Sequence, residues 1–262
     1  MNTTMPNTGW HSTKLWLLRT LLAVFITALV GLLLLGVFSK PDLYAGYQQG
    51  SAYFASNGEL LSLRLAPDQR YRLRMPLNEI APTLQQATLL YEDRHFYQHL
   101  GLDFAAVGRA FWQGVILQGR RQGASTITMQ LARLRYKLNT RTFTGKLQQL
   151  GYAFYLERHF TKDALLEAYF NYAPYGGNIE SAAAASLIYF GKEASQLTLP
   201  EALALAVIPQ NPNQRSPLSQ QGQQQLELAR QRLAALWQQQ HFTHTANSLQ
   251  LSLDLPLRYF SR

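Results

Sequence analysis

The 262-residue chain contains no cysteine. Disulfide frameworks, thiolate metal sites and cysteine nucleophiles are therefore excluded. Acidic residues are also scarce: 15 Asp and Glu stand against 24 Lys and Arg, a formal charge of +9. The scarcity is concentrated in one place. From Phe104 to Leu156 there is no acid at all, yet Arg109, Arg120, Arg121, Arg133, Arg135, Lys137, Arg141 and Lys146 all fall there. Such a field draws phosphates, nucleic acid or an anionic membrane. A plain solvated face is the alternative, although ordinary surfaces mix both signs.

One long apolar run lies near the N-terminus, from Thr20 to Phe38. At 1.5 Å per residue it would reach about 28 Å, close to a bilayer core. It exceeds the apolar stretch of a signal peptide, and no small-x-small cleavage site follows promptly. Lys14 and Arg19 precede it, with no acid before Asp42. The expectation is a single-pass anchor over 15–38, with residues 1–14 kept inside by the positive-inside rule. The remainder then lies outside the cytoplasmic membrane, which disfavours nucleic acid as the partner of the basic segment.

After the anchor, residues 39–79 read as a linker with a β-hairpin. Asn57-Gly58 suits a type I′ turn, and Leu61, Leu63 and Leu65 alternate with polar residues. The stretch Arg70 to Met75 reads as a further strand. From about Ile80 the pattern turns helical, with Gly101 as the stop. Helices are expected at about 104–118, 126–138, 142–159, 162–172, 179–190 and 199–208. The last of these opens on a Thr198-to-Glu201 capping box with Pro200 in its first turn. Residues 80–215 thus form a helical core, 216–248 a Gln-rich amphipathic helix, and 249–262 a strand-like tail. Leu249, Leu251, Leu253 and Leu255 of that tail are expected to pair with the N-terminal hairpin.

Four stretches can carry chemistry. In "EDRHFYQHLG", Glu92, Phe96 and His99 share a face if the helix continues, and a carboxylate beside an aromatic ring gains basicity by desolvation. A solvated surface glutamate is the plain alternative. His95 and His99 have zinc-like i, i+4 spacing, but no glutamate lies between them where a zincin needs one, and no third ligand is evident. In "GASTITMQLAR", Ser125 or Thr126 can cap a helix whose N-terminus faces an anion. In "RTFTGKLQQL", Arg141 and Lys146 sit near a helix start, where they oppose the dipole. An anionic partner explains them better than helix stability does. The fourth stretch, Phe160 to Lys192, reads as two helices joined by a Pro/Gly loop, and mostly as fold.

In this order and at these intervals the blocks resemble glycosyltransferase family 51, the peptidoglycan glycosyltransferases. "EDRHFYQHLG" is similar to the family's E-D-x-x-F-x-x-H-x-G, "GASTITMQ" to its G-x-S-T-x-T-x-Q, and "TKDALLEAYFN" to its K-x-x-I-L-E-x-Y-L-N block. "YFGK" and "EALALAVIPQNPN" resemble later segments, so the likeness runs from about Tyr53 to Leu236. Met129 and the short "NYAPYGGNIE" loop resemble the penicillin-binding protein 1C branch, whose members continue into a transpeptidase domain. The likeness here extends over the transglycosylase portion only.

The resemblance implies a mainly α, lysozyme-like domain beside a smaller membrane-associated lobe, in a bacterial inner membrane with the domain periplasmic. It implies polymerisation of lipid II with release of undecaprenyl diphosphate. Glu92 would be the general base, with Asp93, Phe96 and His99 as its supports and substrate contacts. Ser125, Thr126 and Gln130 would line the cleft, and Arg133, Arg141 and Lys146 would hold the donor's diphosphate. A divalent ion such as Mg²⁺ or Mn²⁺ is implied as a helper, and no organic cofactor. Expected partners are lipid II, the growing strand, the membrane and a separate transpeptidase or other cell-wall proteins.

One motif departs from the family. Its R-K-x-x-E reads here as Gly145, Lys146, Leu147, Gln148, Gln149. The first arginine is missing, and Gln149 takes the second carboxylate's place. A sugar alkoxide leaves poorly without a proton, but diphosphate leaves well, so the loss is tolerable for transfer. The same departure suggests an alternative, a precursor-binding scaffold with little turnover. The lysozyme-like fold alone suggests a third reading, hydrolysis of finished strands.

Overall fold

The computed structural model describes residues 9–35, 39–103 and 125–241. It divides into two units, Met1–Pro41 and Asp42–Arg262. The first contains helix α1, Gly9–Leu35. Its apolar side chains Leu17, Leu18, Leu21, Leu22, Val24 and Phe25 are exposed. Thr20 and Thr27 turn their hydroxyls back onto the carbonyls of Leu17 and Ala23. Among the described residues no helix is long and apolar enough to cross a membrane. The expected run continues through residues 36–38, which lie outside the described residues.

The second unit is mainly helical. Strands β1 (Ser51–Phe54) and β2 (Leu60–Arg64) form an antiparallel hairpin, as the alternation of leucines suggested. Its turn is not type I′. Only Gly58 takes a positive φ, +83°, and Asn57 does not. The turn instead runs Ala55 to Gly58, with the Gly58 N–H donating to the Ala55 carbonyl at 2.9 Å and a register shift beside it. A short helical turn closed by a left-handed glycine is the usual three-residue solution. The strand expected at 70–75 is reduced to one parallel bridge, Tyr71 to Ile179. Arg72 there is buried and pairs with Asp68 and Glu180, so side-chain ion pairs hold the segment instead of a ladder.

Seven further helices follow among the described residues: α2 Pro82–Glu92, α3 Ile127–Arg135, α4 Phe143–His159, α5 Lys162–Tyr172, α6 Ala182–Phe190, α7 Leu199–Val207 and α8 Gln220–His241. Between α5 and α6, the expected Pro/Gly loop is a small hairpin, β3 Pro174–Gly176 with β4 Ile179–Glu180. The helix expected at 104–118 and the tail 249–262 lie outside the described residues.

Helix α7 is the centre of the core. Every residue from Glu201 to Val207 is buried, which suits a helix apolar on all sides. It packs against α2 and α8, while α3 packs against α4 and α5. The buried charge of Glu201 is matched by Lys192 Nζ at 2.8 Å, and its Oε2 accepts the Thr198 backbone N–H at 2.8 Å. The capping box is present as expected.

Candidate functional site

Helix α2 does not run on to Gly101. It ends at Glu92, with Asp93 as its C-cap at φ −160°. A single 3-10 turn, Phe96–Gln98, follows. Glu92, Phe96 and His99 therefore do not line one helix face. Asp93 explains the break. Its Oδ2 accepts the Ile127 N–H, the first of α3, at 3.0 Å, and both its oxygens contact His99 Nε2 at 2.9 and 3.0 Å. A buried carboxylate at a helix N-terminus gains from the dipole there, and this outweighs one further turn of α2. Gly101 closes the loop at φ +84°, with its carbonyl accepting from Thr126 Oγ1 at 2.7 Å.

Asp93, Phe96 and His99 thus form a brace behind Glu92. Phe96 is 1 % exposed, stacks edge-on to Tyr97 and His99, and carries Lys162 Nζ 4.4 Å from its ring centre. His95 stands apart, with Nδ1 3.3 Å from Asp103. No group of three His, Cys, Asp or Glu able to hold a metal occurs among the described residues.

Glu92 itself is held on one side only. Gln130 Nε2, from α3, donates to Oε2 at 2.8 Å. Oε1 is buried and accepts no hydrogen bond among the described residues. Burial pushes the carboxyl pKa up, and the adjacent Asp93 adds to this. Gln130 and the Arg215 guanidinium pull the other way without cancelling it. A buried carboxylate with one free oxygen and raised basicity is suited to taking a proton. The Tyr169 hydroxyl nearby is fully buried and has no hydrogen-bond partner among the described residues.

Thr126, not Ser125, caps α3, accepting the Met129 N–H at 3.2 Å. Ser125 is half-buried beside it. Arg133 is half-buried and Arg141 exposed, and neither guanidinium has a partner among the described residues. Arg135 is spent on structure, donating to the carbonyls of Leu43 at 2.8 Å and Asp42 at 3.1 Å. Lys146 is exposed on α4, with Nζ 3.0 Å from Gln149 Oε1. Gln149 is 1 % exposed, and its Nε2 donates to the Met129 carbonyl at 2.7 Å.

The sequence reading missed Arg215. It lies in the loop after α7 and donates to Tyr91 Oη at 3.0 Å, to the Val207 carbonyl at 2.6 Å and to Gln210 at 3.0 Å. Nothing local in "NPNQRSP" marks it, because its relevance comes from a helix more than a hundred residues earlier.

Among the described residues the oxygens around Glu92 are largely engaged with protein partners. Mg²⁺ requires oxygen ligands near octahedral geometry. Both Asp93 oxygens are engaged, Glu157 Oε1 is taken by Thr128 and Lys162, and Gln149 Oε1 by Lys146. Glu92 Oε1 is buried with no hydrogen-bond partner among the described residues.

The junction of α2 and α3 thus holds a buried carboxylate, fixed by Gln130 and backed by the Asp93 brace. The profile of the family described as Transglycosylase matches residues 57–240, and the chain belongs to that family, the one the motifs resemble. Penicillin-binding protein 4 of Bacillus subtilis (strain 168) is 38 % identical over 170 residues, covering 65 % of this chain and 27 % of that protein. Penicillin-binding protein 2D of the same organism is 36 % identical over 202 residues, covering 74 % and 29 %. Penicillin-binding protein 1C of Escherichia coli (strain K12) is 39 % identical over 150 residues, covering 57 % and 19 %. The chain spans less than a third of the length of these relatives.

Proposed function

We propose that this chain polymerises lipid II into β-1,4 glycan strands, with Glu92 as general base in an inverting transfer. The acceptor's 4-hydroxyl oxygen bonds to C1 of the donor as the bond from C1 to the diphosphate oxygen breaks. The hydroxyl proton passes to Glu92, and the electron pair leaves with undecaprenyl diphosphate. Lys146, Arg141 and Arg133 meet the charge on that leaving group, which needs fixed cations rather than an acid. Gln130 aims Glu92, and Ser125 and Thr126 shape the floor of the cleft. The observation that carries the reading is Glu92: one oxygen fixed by Gln130, the other buried and accepting no hydrogen bond among the described residues.

The domain is lysozyme-like with a smaller membrane-associated lobe, and the apolar run from Thr20 to Phe38 anchors it. The exposed apolar face of α1 and its inward-bonded threonines suit lipid, where polar groups must be satisfied within the helix. Residues 1–14 lie inside and the domain outside, and a transpeptidase is its natural partner.

The test is polymerisation of labelled lipid II by the full chain in detergent. Wild type should yield glycan that lysozyme-type hydrolases digest, and Glu92→Gln should yield at least about 100-fold less. Equal polymer from both would end the assignment of Glu92. A scaffold would bind lipid II without turning it over, and a hydrolase would release soluble fragments from finished sacculi.

A further inference from the structure

The departed motif is built into the structure. Gln149 is 1 % exposed, and both ends of its amide are engaged. Its orientation is dictated by its partners. A carbonyl can only accept, so the Met129 oxygen takes the NH₂ at 2.7 Å; an ammonium can only donate, so Lys146 Nζ takes the oxygen at 3.0 Å. A glutamate here has no proton for the Met129 carbonyl. It would set two acceptors face to face in a buried place, and its charge would cancel that of Lys146. The other departure, Gly145, has a matching cause. A Cβ at that position would stand 1.9 Å from the Asn139 carbonyl oxygen, so no arginine fits against this turn.

Met129 precedes Gln130, which holds Glu92 at 2.8 Å. A continuous path therefore runs from the cation to the base: Lys146, Gln149, the backbone of α3, Gln130, Glu92. We propose that Gln149 is a positioning residue that fixes Lys146, at full charge, relative to Glu92, so that the donor's diphosphate is met by protein cations and not by a carboxylate-bound divalent ion. This rests on the transfer reading above. It turns the missing carboxylate from a defect into a different way of supplying positive charge.

Two measurements separate this inference from that reading. The first is calorimetric binding of farnesyl diphosphate, as a probe, to the full chain in detergent with EDTA present. Wild type should bind, and Lys146→Met and Gln149→Glu should each weaken binding about tenfold, the scale of one charge-assisted contact. The Lys146→Met, Gln149→Met double variant should be no weaker than Lys146→Met alone, because Gln149 acts through Lys146. Gln149→Met, which keeps the volume and adds no charge, should weaken binding less. It stands in if the glutamate variant does not fold. The second measurement is lipid II turnover. Wild type should work in EDTA, and Gln149→Glu should raise KM more than it lowers kcat. Binding that ignores both Gln149 variants, a wild type silenced by EDTA and restored by Mg²⁺, or a faster Gln149→Glu enzyme each overturns the inference. A chain that binds the probe through Lys146 and Gln149 but makes no polymer fails the transfer reading alone. A chain that binds no probe at all fails both.

Discussion

Glu92 concentrates the conflict between stability and function in one side chain. Its carboxylate is desolvated, and Oε1 is unpaired among the described residues. Burial raises its pKa in the folded state above the unfolded value. The ionised form therefore weakens folding at neutral pH, and the penalty disappears as pH falls through the folded pKa to the unfolded value of about 4.3. Glu92→Gln should thus raise thermal stability at pH 7 by about 1 kcal/mol, roughly 2–4 °C for a domain of this size, with the gain lost near pH 4. Calorimetry at both pH values checks this. Asp93, the next residue, should behave in the opposite way. It accepts the first N–H of α3 and contacts His99 within the brace. Asp93→Ala should cost on the order of 3 kcal/mol, seen as a lowered denaturation midpoint. Adjacent acids with opposite effects on stability are not separable by residue type or spacing, although the family resemblance assigns Glu92 as base and Asp93 as support. "ED" by itself identifies a pair, and the end of α2 gives the physical reason that one faces the open side and the other the brace.

At the scale of elements, what was legible depended on whether the signal was local. The capped helices α3, α4, α5 and α7 all start within a few residues of expectation, because Thr126, Thr142, Thr161 and Thr198 announce them. The continuation of α2 to Gly101 was wrong because its terminator, the Asp93 contact to Ile127, spans 34 residues. The hairpin turn was misread for a subtler reason: Asn57-Gly58 satisfies two turn types, and only backbone angles decide between them. Two element-level consequences follow. Gly145→Ala should destabilise α4's first turn by at least about 2 kcal/mol, since the obstructing atom is backbone and cannot rotate away. Lys192→Met should cost about 3–5 kcal/mol, because it strands the buried Glu201 charge beneath α7. Burial favours a raised pKa for Glu201, but Lys192 and Thr198 together hold it below the usual value. The stabilisation from this pair is present above the unfolded pKa and fades as pH falls through the folded one. The loss caused by Lys192→Met should shrink accordingly in acid.

At the scale of the whole molecule, the acid-free stretch was the most informative feature of composition. Within its described part the cations divide by task. Arg135 holds the 42–43 segment, Gln149 steadies Lys146, and Arg133 and Arg141 are left without partners. A charge census could not make that division, since every cation counts equally in sequence. Arg215, outside the stretch, is brought near Glu92 only by the packing of α7 on α2. The chain belongs to the transglycosylase family over residues 57–240. The central claim is that Glu92 draws the acceptor's proton while protein cations carry the leaving diphosphate. The most direct measurement is the pH profile of lipid II turnover by wild type and Glu92→Gln, in EDTA. The wild-type rate should fall on the acid side with a pKa above that of an ordinary carboxylate, and the variant should be at least about 100-fold slower and lack this limb. A variant that keeps both the rate and the acid limb would contradict it.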